Sequence, residues 1–531
     1  MTDDADTLKK LHRALINLNK RAERASNEIL VSNFVDSEPL FDLLSTQNNQ
    51  VIYGRRGTGK THALKYLAET VGNAGDHAVY IDLRSIGSNT SIYSDTTRTL
   101  ADRASTLIVD VLQAVYDELL NIAISMIDKT PNPEQVTNRI DDLARAVTAV
   151  RIRGSIEEER ENTVSGSRKV DLEMGLSGGS KTSAGAKISV SKENDDGFKY
   201  RKKQSGDESI HLDFGNINVA LSGLIRVVNS PRIWLLIDEW SEIPIDLQAY
   251  LADLIRRTIL PINEITVKIA SIEHRSQFNI LRNHGEYTGL ELGADISADL
   301  NLDDFLVFDN NQSKAVEFFK SLIFKHYQSE DLSGEITSPE QLIRVAFTQS
   351  PVFDEFVRAV EGVPRDALNL IGKAVTKSFG QKIAMNDVRA AARDWYQQDK
   401  ANLIRENSVL SDLLQRIIDE IIGNRRARAF LFSSSSRDHR IEQLFDSRLL
   451  HILRKNVSSH DQPGVRYDVY KIDYGCYVEL MNTTKMPQGL FQPTDEDDYI
   501  EVPKDDYRSI RRAILTLEPL PAVVDIVAYV P

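Results

Sequence analysis

Apolar residues alternate between two periodicities in the first part of the chain. Gln50–Tyr53 is a short run with the length of a buried strand, and apolar residues then recur at helical spacing at Leu64, Leu67 and Val71. A second run, His77–Leu83, has the β-branched and aromatic composition of a parallel strand that is buried on both faces. This succession of strand, loop, helix and strand predicts an α/β fold.

Helical spacing continues on both sides of this unit. The pattern predicts an amphipathic helix over 7–30, a helix from about Thr97 to Ile127 and another carried by Val136, Ile140, Leu143 and Val147. Further helices are predicted over 311–400. The chain therefore contains much more helix than a single strand–helix–strand unit needs.

Residues 153–210 have a different composition, rich in Gly, Ser and Lys. Apolar and polar residues alternate over Val170–Leu176 and again over Ala186–Ser191, which predicts a hairpin or ribbon with a mobile tip at GGSKTSAG. The alternative is a disordered charged loop, because such segments often stay unfolded. We expect 96–210 to be an insertion of helices and a ribbon within the α/β core.

Composition narrows the class of protein. The 531 residues are 41% hydrophobic and 27% charged, which suffices for several domains. No stretch approaches the ~18 apolar residues of a membrane span, and the start MTDDADTLKK is too polar for a signal peptide. Cys476 is the only cysteine and the ten histidines lack ligand spacing, so we expect no disulfide and no zinc. These features predict a cytoplasmic protein.

The strongest motif is GRRGTGKT at Gly54–Thr61. Its glycines allow positive φ and close backbone approach, so that N–H groups at a helix start can hold phosphates. Lys60 is predicted to reach the β- and γ-phosphates of ATP, and Thr61 to bind Mg²⁺. The predicted nucleotide-binding residues are Gly54, Arg55, Arg56, Gly57, Thr58, Gly59, Lys60, Thr61 and His62.

A second acidic motif follows a buried strand. Arg232–Trp240 reads RIWLLIDEW, an apolar run that ends in two carboxylates, and ligands of open α/β sheets lie at the carboxyl ends of strands. Asp238 is predicted to hold Mg²⁺ through water, and Glu239 to orient and polarise the attacking water. The alternative is that both acids only cap the next helix.

Two further positions are predicted to lie near the γ-phosphate. The strand Ile265–Arg275 ends in polar residues, among which Ser271 and Glu273 are candidates for a sensor or ordinary strand-end residues. In EGVPRDALNLIG, Pro364 is placed at the first position of a helix and Arg365 follows it. A cation there is disfavoured by the helix dipole, so we expect it to meet an anion.

GRRGTGKT, LLIDEW and GVPRDALNLI together resemble the initiator branch of the AAA+ ATPases, the origin-recognition-complex-like proteins and their bacterial relatives. The resemblance covers about 50–95 and 211–400. It implies an α/β ATPase core, a helical lid with a sensor-2 arginine, a C-terminal winged helix, and the roles given above for the motif residues. No usual sensor-1 Asn or Thr ends the strand. The arginine finger is not fixed by a motif either, and its candidates are Arg256, Arg257, Arg275 and Arg282.

The motifs and the resemblance divide the chain into regions. The predicted regions are a helical lead-in at 1–48, a P-loop AAA+ core at 49–310 that holds the insertion, a helical lid at 311–400 and a winged-helix-like α+β domain at 401–531.

The last region is predicted to contact double-stranded DNA. A basic group surrounds a short predicted strand, and Ser447–Asn456 is predicted to be a recognition helix. The candidate residues are Arg425, Arg426, Arg428, Arg437, Arg440, Arg448, Arg454 and Lys455. Against DNA binding stand the net charge of −14 and the acidic run Asp495–Asp498, both of which repel a polyanion.

We therefore predict an ATP-driven switch that assembles into a homo-oligomer with ATP and engages DNA through its C-terminal domain. The alternative is a sensor or regulatory subunit of a protein complex, such as a bacterial anti-phage defence system, that acts through a separate effector. A translocating motor is less favoured, because no helicase-type motif accompanies the core.

Overall fold

The computed structural model of the chain describes residues 2–18, 26–86, 93–95, 97–127, 132–147, 150–161, 188–193, 199–210, 212–228, 232–281, 286–330, 334–425, 427, 429–436, 438–458, 464–481 and 513–517. The helices, numbered in chain order, are α1 (Thr2–Asn17), α2 (Asn27–Asn33), α3 (Leu40–Leu44), α4 (Lys60–Asn73), α5 (Leu100–Ile127), α6 (Pro133–Val147), α7 (Phe214–Val228), α8 (Ile245–Thr258), α9 (Gln312–Glu330), α10 (Pro339–Ala346), α11 (Ser350–Val360), α12 (Pro364–Ser378), α13 (Met385–Trp395), α14 (Ser408–Ile417), α15 (His439–Asp446) and α16 (Tyr474–Met481). The strands are β1 (Gln50–Tyr53), β2 (His77–Asp82), β3 (Val150–Glu161), β4 (Ile188–Glu193), β5 (Lys199–Ile210), β6 (Ile233–Asp238), β7 (Ile265–Ser271), β8 (Asn279–Leu281), β9 (Tyr287–Gly289), β10 (Ser297–Asn301), β11 (Ala429–Ser433), β12 (Leu450–Ser458) and β13 (Arg466–Ile472).

A parallel sheet in the order β10, β1, β7, β6, β2 forms the centre of the P-loop region. In its register Tyr53 lies beside Ser271 and Asp82 lies beside Asp238. The carboxyl ends of these four strands therefore meet at one edge, which we call the nucleotide edge. The predicted α/β fold with a parallel sheet is confirmed.

Helices cover both faces of this sheet, which explains why β6 and β7 are buried along their whole length. One face packs against α5, α6, α7 and α8 in a single apolar cluster. The other packs against α4, with aromatic side chains of the preceding segment, such as Phe34, stacked on Tyr66 at 3.9 Å between ring centroids. Helices α5 and α6 thus extend a layer of the core.

The ribbon is built from the antiparallel strands β3 and β5, with β4 paired to the other side of β5. The predicted strand at Ala186–Ser191 corresponds to β4, whereas Val170–Leu176 and the GGSKTSAG tip lie outside the described residues. The helix predicted from about Thr97 is confirmed as α5.

Helices α9 to α13 form a separate apolar cluster that also includes Leu8, Leu11 and Leu15 of α1. The prediction of one helix over 7–30 is wrong. The chain forms α1 and then starts α2 afresh, because Ser26 adopts an extended conformation and its hydroxyl accepts a hydrogen bond from the Ile29 amide.

The C-terminal residues 401–481, which we call the C-terminal module, combine α14 with an antiparallel sheet in the order β11, β13, β12. The helix predicted at Ser447–Asn456 is wrong, because residues from Leu450 onwards form β12. Pairing with the aromatic and β-branched strand β13 outweighs the helical propensity of Leu, Arg and Lys. The winged helix stays a prediction. Within the described ranges, no helix is long and apolar enough to cross a membrane.

Candidate functional site

The glycine loop turns from β1 into α4 with two residues in positive φ. Gly57 has φ 94° and Gly59, the N-cap of α4, has φ 101°, a region that L side chains rarely adopt. The Gly59 carbonyl accepts the first helical hydrogen bond from Ala63 at 2.9 Å. The amides of the first turn of α4 therefore have no intrahelical partners, which is the arrangement that holds phosphate.

Lys60 lies at the first position of α4 and its side chain is buried. Its Nζ donates to the carbonyl oxygens of Gly54 at 2.7 Å and Arg55 at 3.2 Å, so the ammonium lies over the loop. Burial lowers the pKa of Lys60, and the charges of Glu239 and Asp238 act against that decrease. The lysine and both acids of the second motif thus share one electrostatic environment.

Asp238 ends β6 and is completely buried. Its carboxylate accepts hydrogen bonds from the Tyr80 hydroxyl and from the Glu239 amide, both at 2.8 Å. Glu239 has φ 56°, which is costly for a residue with a long side chain and is typical of strained functional positions. Burial, followed by the charge of Asp238, raises the pKa of Glu239.

The oxygen ligands predicted for Mg²⁺ fit that ion, which is usually held by one or two carboxylates together with substrate phosphates. Asp238 is held by its two donors at the nucleotide edge, and Thr61 is in the first turn of α4. Groups of three or more His, Cys, Asp or Glu that could hold a metal are absent from the described residues. Asp238 and Thr61 are the residues that would hold Mg²⁺, together with phosphate oxygens of a nucleotide.

Tyr80 and Arg84 belong to the same edge and were not predicted. Arg84 donates to Asp82 through Nη2 at 2.7 Å, and its Nη1 lies 3.5 Å from the Glu239 carboxylate. Both residues belong to β2 or follow it directly, and β2 pairs with β6 in register. The rule that ligands lie at the carboxyl ends of parallel strands could have identified them.

The helices of residues 311–400, which were predicted to be a lid, reach the glycine loop through the first turn of α12. Pro364 begins this helix as predicted, and the Arg365 amide donates to the Gly57 carbonyl at 3.1 Å. A Cβ placed on Gly57 would come within 2.8 Å of the Arg365 Cβ. The glycine is therefore needed for space as well as for φ, and Arg365 is adjacent to the phosphate loop.

The two sensor candidates lie in different surroundings. Ser271 is buried, its Oγ is 3.0 Å from that of Ser241, and its carbonyl accepts the Gly54 amide at 3.2 Å. Glu273 accepts hydrogen bonds from Asn301 at 3.1 Å and from Lys455 of the C-terminal module at 3.0 Å. Ser271 is thus next to the loop, whereas Glu273 links the core to the C-terminal module.

Arg55 makes contacts that its place in the motif did not predict. Its amide and Nε donate to Asp303 at 2.8 and 2.7 Å. Its Nη1 donates to the Leu450 carbonyl at 3.1 Å, and its guanidinium stacks on Phe445 at 4.3 Å from the ring centroid. The guanidinium is thus buried against the C-terminal module, and the part of Arg55 in nucleotide binding stays a prediction.

The other predicted loop residues also have protein partners. The Arg56 guanidinium, half exposed, donates to Glu242 at 2.6 Å. The Thr58 hydroxyl donates to the Arg55 carbonyl at 2.9 Å, and the His62 ring lies 2.7 Å from the Leu30 carbonyl. These side chains stabilise the loop and its helix, and their part in nucleotide binding stays a prediction.

The arginine-finger candidates are distributed over two places. Arg256 and Arg257 both donate to Asp253 on α8, at 2.8 and 2.7 Å. Arg275, whose side chain is 44% exposed, donates to Asp446 of the C-terminal module at 3.2 Å. Arg282 lies outside the described residues.

The predicted DNA contacts are not gathered on one helix. Arg448 is buried and binds Asp366 and Asp399, so its prediction as a DNA contact is corrected. Lys455 binds Glu273, as described above. Arg425 and Arg454 are exposed, and Arg425 donates to Glu420 at 3.1 Å. Arg440 is only 20% exposed and is paired with Asp438. Residues outside the described ranges are Arg426, Arg428 and Arg437.

Two solved structures are similar to the chain at 12% identity: the Walker-type ATPase PABY2304 of Pyrococcus abyssi, with TM-score 0.37 over 87% of this chain and 99% of that one, and the Aeropyrum pernix ORC1 protein in complex with DNA, with TM-score 0.32 over 86% and 96%. Curated protein sequences give no match. Residues 18–85, which contain β1, the glycine loop, α4 and β2, match the family model ORC-CDC6-like. The chain thus carries an ORC-CDC6-like segment around GRRGTGKT, as this motif predicted, whereas LLIDEW and GVPRDALNLI lie outside the matched residues.

Proposed function

We propose that the chain binds ATP with Mg²⁺ at the nucleotide edge and hydrolyses it, and that the third phosphate acts as a switch. The observation that carries this proposal is the meeting of Lys60, Asp238 and Glu239 at one edge of the sheet with the first turn of α12 closing over the loop. Lys60 and the free amides of α4 bind phosphate, while Asp238 and Thr61 hold Mg²⁺, which neutralises charge on the transferring group. Glu239, at the strained end of β6, orients water.

Two substitutions separate binding from turnover. Lys60→Ala removes the cation that meets the phosphates, so equilibrium binding of ATP is expected to fall by about a hundredfold or more. Glu239→Gln keeps the shape but loses the water-orienting carboxylate, so binding stays and phosphate release falls by about 10² or more. The matched control is Glu264→Gln, which changes an exposed glutamate just before β7, at the opposite end of the strands. Tight ATP binding by Lys60→Ala would refute the site.

Assembly is the finer part of the proposal. A neighbouring subunit's arginine reads the third phosphate, so Glu239→Gln with ATP is expected to form a larger and more uniform particle than the same protein with ADP. Arg257 and Arg275 are the described candidates with the more exposed side chains, at 53% and 44%, and each is paired with a carboxylate of its own chain, Asp253 and Asp446. If light scattering gives the same particle mass for Glu239→Gln with ATP and with ADP, the proposed ATP-dependent assembly is refuted.

The output has two candidates. The segment predicted to be a recognition helix forms the strand β12 instead, and Arg448 is buried. Both observations favour a C-terminal module that contacts protein, as in a sensor or regulatory subunit that acts through a separate effector. DNA stays the second candidate, because Arg425 and Arg454 lie on the surface of the module. The salt dependence of DNA binding distinguishes the two.

A further inference from the structure

A buried group of charges lies where α12, the lid's last turn and the C-terminal module meet. Lys400 contacts Asp473 at 2.5 Å and Asp366 at 3.1 Å, and all three side chains are at most 2% exposed. Arg448 binds Asp366 through Nη1 and Asp399 through Nη2, the latter at 2.5 Å. We call these five residues the Asp366 cluster.

Asp366, the central residue of the cluster, directly follows Arg365 in the chain. The Arg365 amide binds the Gly57 carbonyl at 3.1 Å on one side of the first turn of α12. The Asp366 side chain is bound by Arg448 and Lys400 on the other side. The first turn of this helix is therefore fixed from both the glycine loop and the C-terminal module.

Arg448 differs from an arginine of a surface ion pair in its backbone conformation and in the number of carboxylates that it contacts. It follows α15 with φ 63°, and its amide donates to the Phe445 carbonyl at 2.9 Å. The guanidinium lies between carboxylates of two different elements, α12 and the turn Tyr396–Lys400. A fork of this kind orients as well as neutralises, because a planar guanidinium fixes the direction of each carboxylate.

The cluster is held in its charged form. Burial alone would raise the pKa of Asp366, but the charges of Lys400 and Arg448 bring it below its ordinary value. Burial alone would lower the pKa of Lys400, but Asp473 and Asp366 raise it. Removing one cation from such a group leaves its buried carboxylates in excess of the remaining cation, which is more costly than losing a surface pair.

We infer that Arg448 and Lys400 are positioning residues, which set the place of Arg365 at the nucleotide through the carboxylate of Asp366. The C-terminal module therefore helps to position the residues of the ATP site. The inference rests on the proposed ATPase function, in which Arg365 meets the γ-phosphate.

The measurement is the ratio of ADP to ATP dissociation constants of the full chain with Mg²⁺, together with kcat and KM. Arg448→Met is expected to lower this ratio by about tenfold with little change in ADP affinity. Asp399→Asn is the milder variant, because Asp399 is 34% exposed and Asp366 keeps both cations, and it should lower the ratio by about threefold. If Arg448→Met does not fold, Asp399→Asn decides alone.

The matched control is Arg103→Met. Arg103 is equally buried and binds Asp246 through both terminal nitrogens, at 2.7 and 3.2 Å, but it lies on α5, which is not among the elements of the Asp366 cluster. It should lose stability and keep the nucleotide ratio. A cluster that only stabilises the fold would make Arg448→Met behave in the same way.

The background Arg365→Ala shows whether the effect passes through Arg365. In that background, Arg448→Met and Asp399→Asn should change the nucleotide ratio no further, because the residue they position is gone. A wild-type ratio in the folded single variants, or an equal further loss in the Arg365→Ala background, overturns the inference. If wild type and Arg103→Met neither bind nor hydrolyse ATP, the proposed function fails and takes the inference with it.

Discussion

Lys60 and Lys400 are both buried lysines, but their regions hold charge in different ways. Lys60 of the nucleotide edge donates to carbonyls of its own loop, five and six residues away. Lys400 contacts a carboxylate 73 residues away, and Arg448 contacts one 82 residues away. The first charge is presented by a local loop and the second joins distant parts of the chain.

This difference shows when the neighbouring sequence is enough to tell whether a charged residue binds a ligand or has a structural partner. At the nucleotide edge the charges follow a strand or begin a helix, where backbone groups and the sheet leave space for a ligand. In the C-terminal module, Arg448 and Lys455, which were predicted as DNA contacts, instead bind Asp366 of α12 and Glu273 of the core. A basic residue outside a motif can therefore be structural even in a region rich in arginine.

The largest expected effect contrasts a buried arginine pair with an exposed one. Arg448→Met should lower the free energy of unfolding by about 3–5 kcal/mol, because the buried carboxylates of Asp366 and Asp473 would then share the charge of Lys400 without a second cation from Arg448. Arg416→Met, which breaks a pair at 3.8 Å whose arginine is 52% exposed, should cost about 0–1 kcal/mol. Thermal unfolding of both variants measures the difference. Equal shifts would mean that the Asp366 cluster is no more important than a surface pair.

The second prediction concerns a buried lysine without a carboxylate partner. Lys268 on β7 donates to Gln50 at 2.9 Å, and burial lowers its pKa to about 7 from an ordinary 10.5. Between these values the unfolded chain binds the extra proton, so stability should rise with pH from about 7 to 10.5. Lys268→Met should stabilise the protein by roughly 2–4 kcal/mol at pH 7 and remove part of that rise.

Lys400→Met is the matched comparison for this lysine. Its carboxylate partners raise the pKa of Lys400, so the same substitution should destabilise the protein at neutral pH. Unfolding curves at pH 7 and 9 measure both variants. Destabilisation by Lys268→Met at pH 7 would contradict the conclusion that burial of the Lys268 ammonium costs stability.

The sequence was sufficient for β1, β2, β6 and β7 and for the two motifs, because each of these strands is a short apolar run and each motif residue is local to a turn. It did not predict the edge strand β10, whose sequence SADLN is mostly polar. It could not predict the contacts of Arg55, because the partner segments are hundreds of residues away in the chain, at Asp303 and Leu450. Ser447–Asn456 failed for a related reason, since its conformation depends on pairing with β13. Tyr80 and Arg84 were missed although the strand-end rule applied to them.

The third prediction separates backbone strain from closeness to the lid. Gly57 and Gly75 have nearly equal φ, 94° and 95°, but a Cβ has space around Gly75 and meets Arg365 at Gly57. Each change to Ala should cost about 1 kcal/mol of stability from φ alone. Only Gly57→Ala should also weaken ATP binding, by about tenfold, because it displaces the first turn of α12. Titration with ATP measures the affinity of both variants. Equal affinities of Gly57→Ala and Gly75→Ala would mean that the contact between the glycine loop and α12 does not contribute to ATP binding.

The smallest expected effect tests the DNA output on a surface arginine of the C-terminal module. Each phosphate contact contributes about −0.9 to the slope of log affinity against log salt. If DNA crosses β12, Arg454→Glu should make the slope shallower by about one unit while ATP affinity stays unchanged. Lys9→Glu, an exposed reversal on α1, controls for the change in net charge and should leave the slope as it is. Because Arg448 is buried, its loss should act on nucleotide selection rather than on this slope. If the full chain with ATP binds duplex DNA without any salt dependence, or not at all, the C-terminal module docks protein and the regulatory-subunit function is the one supported.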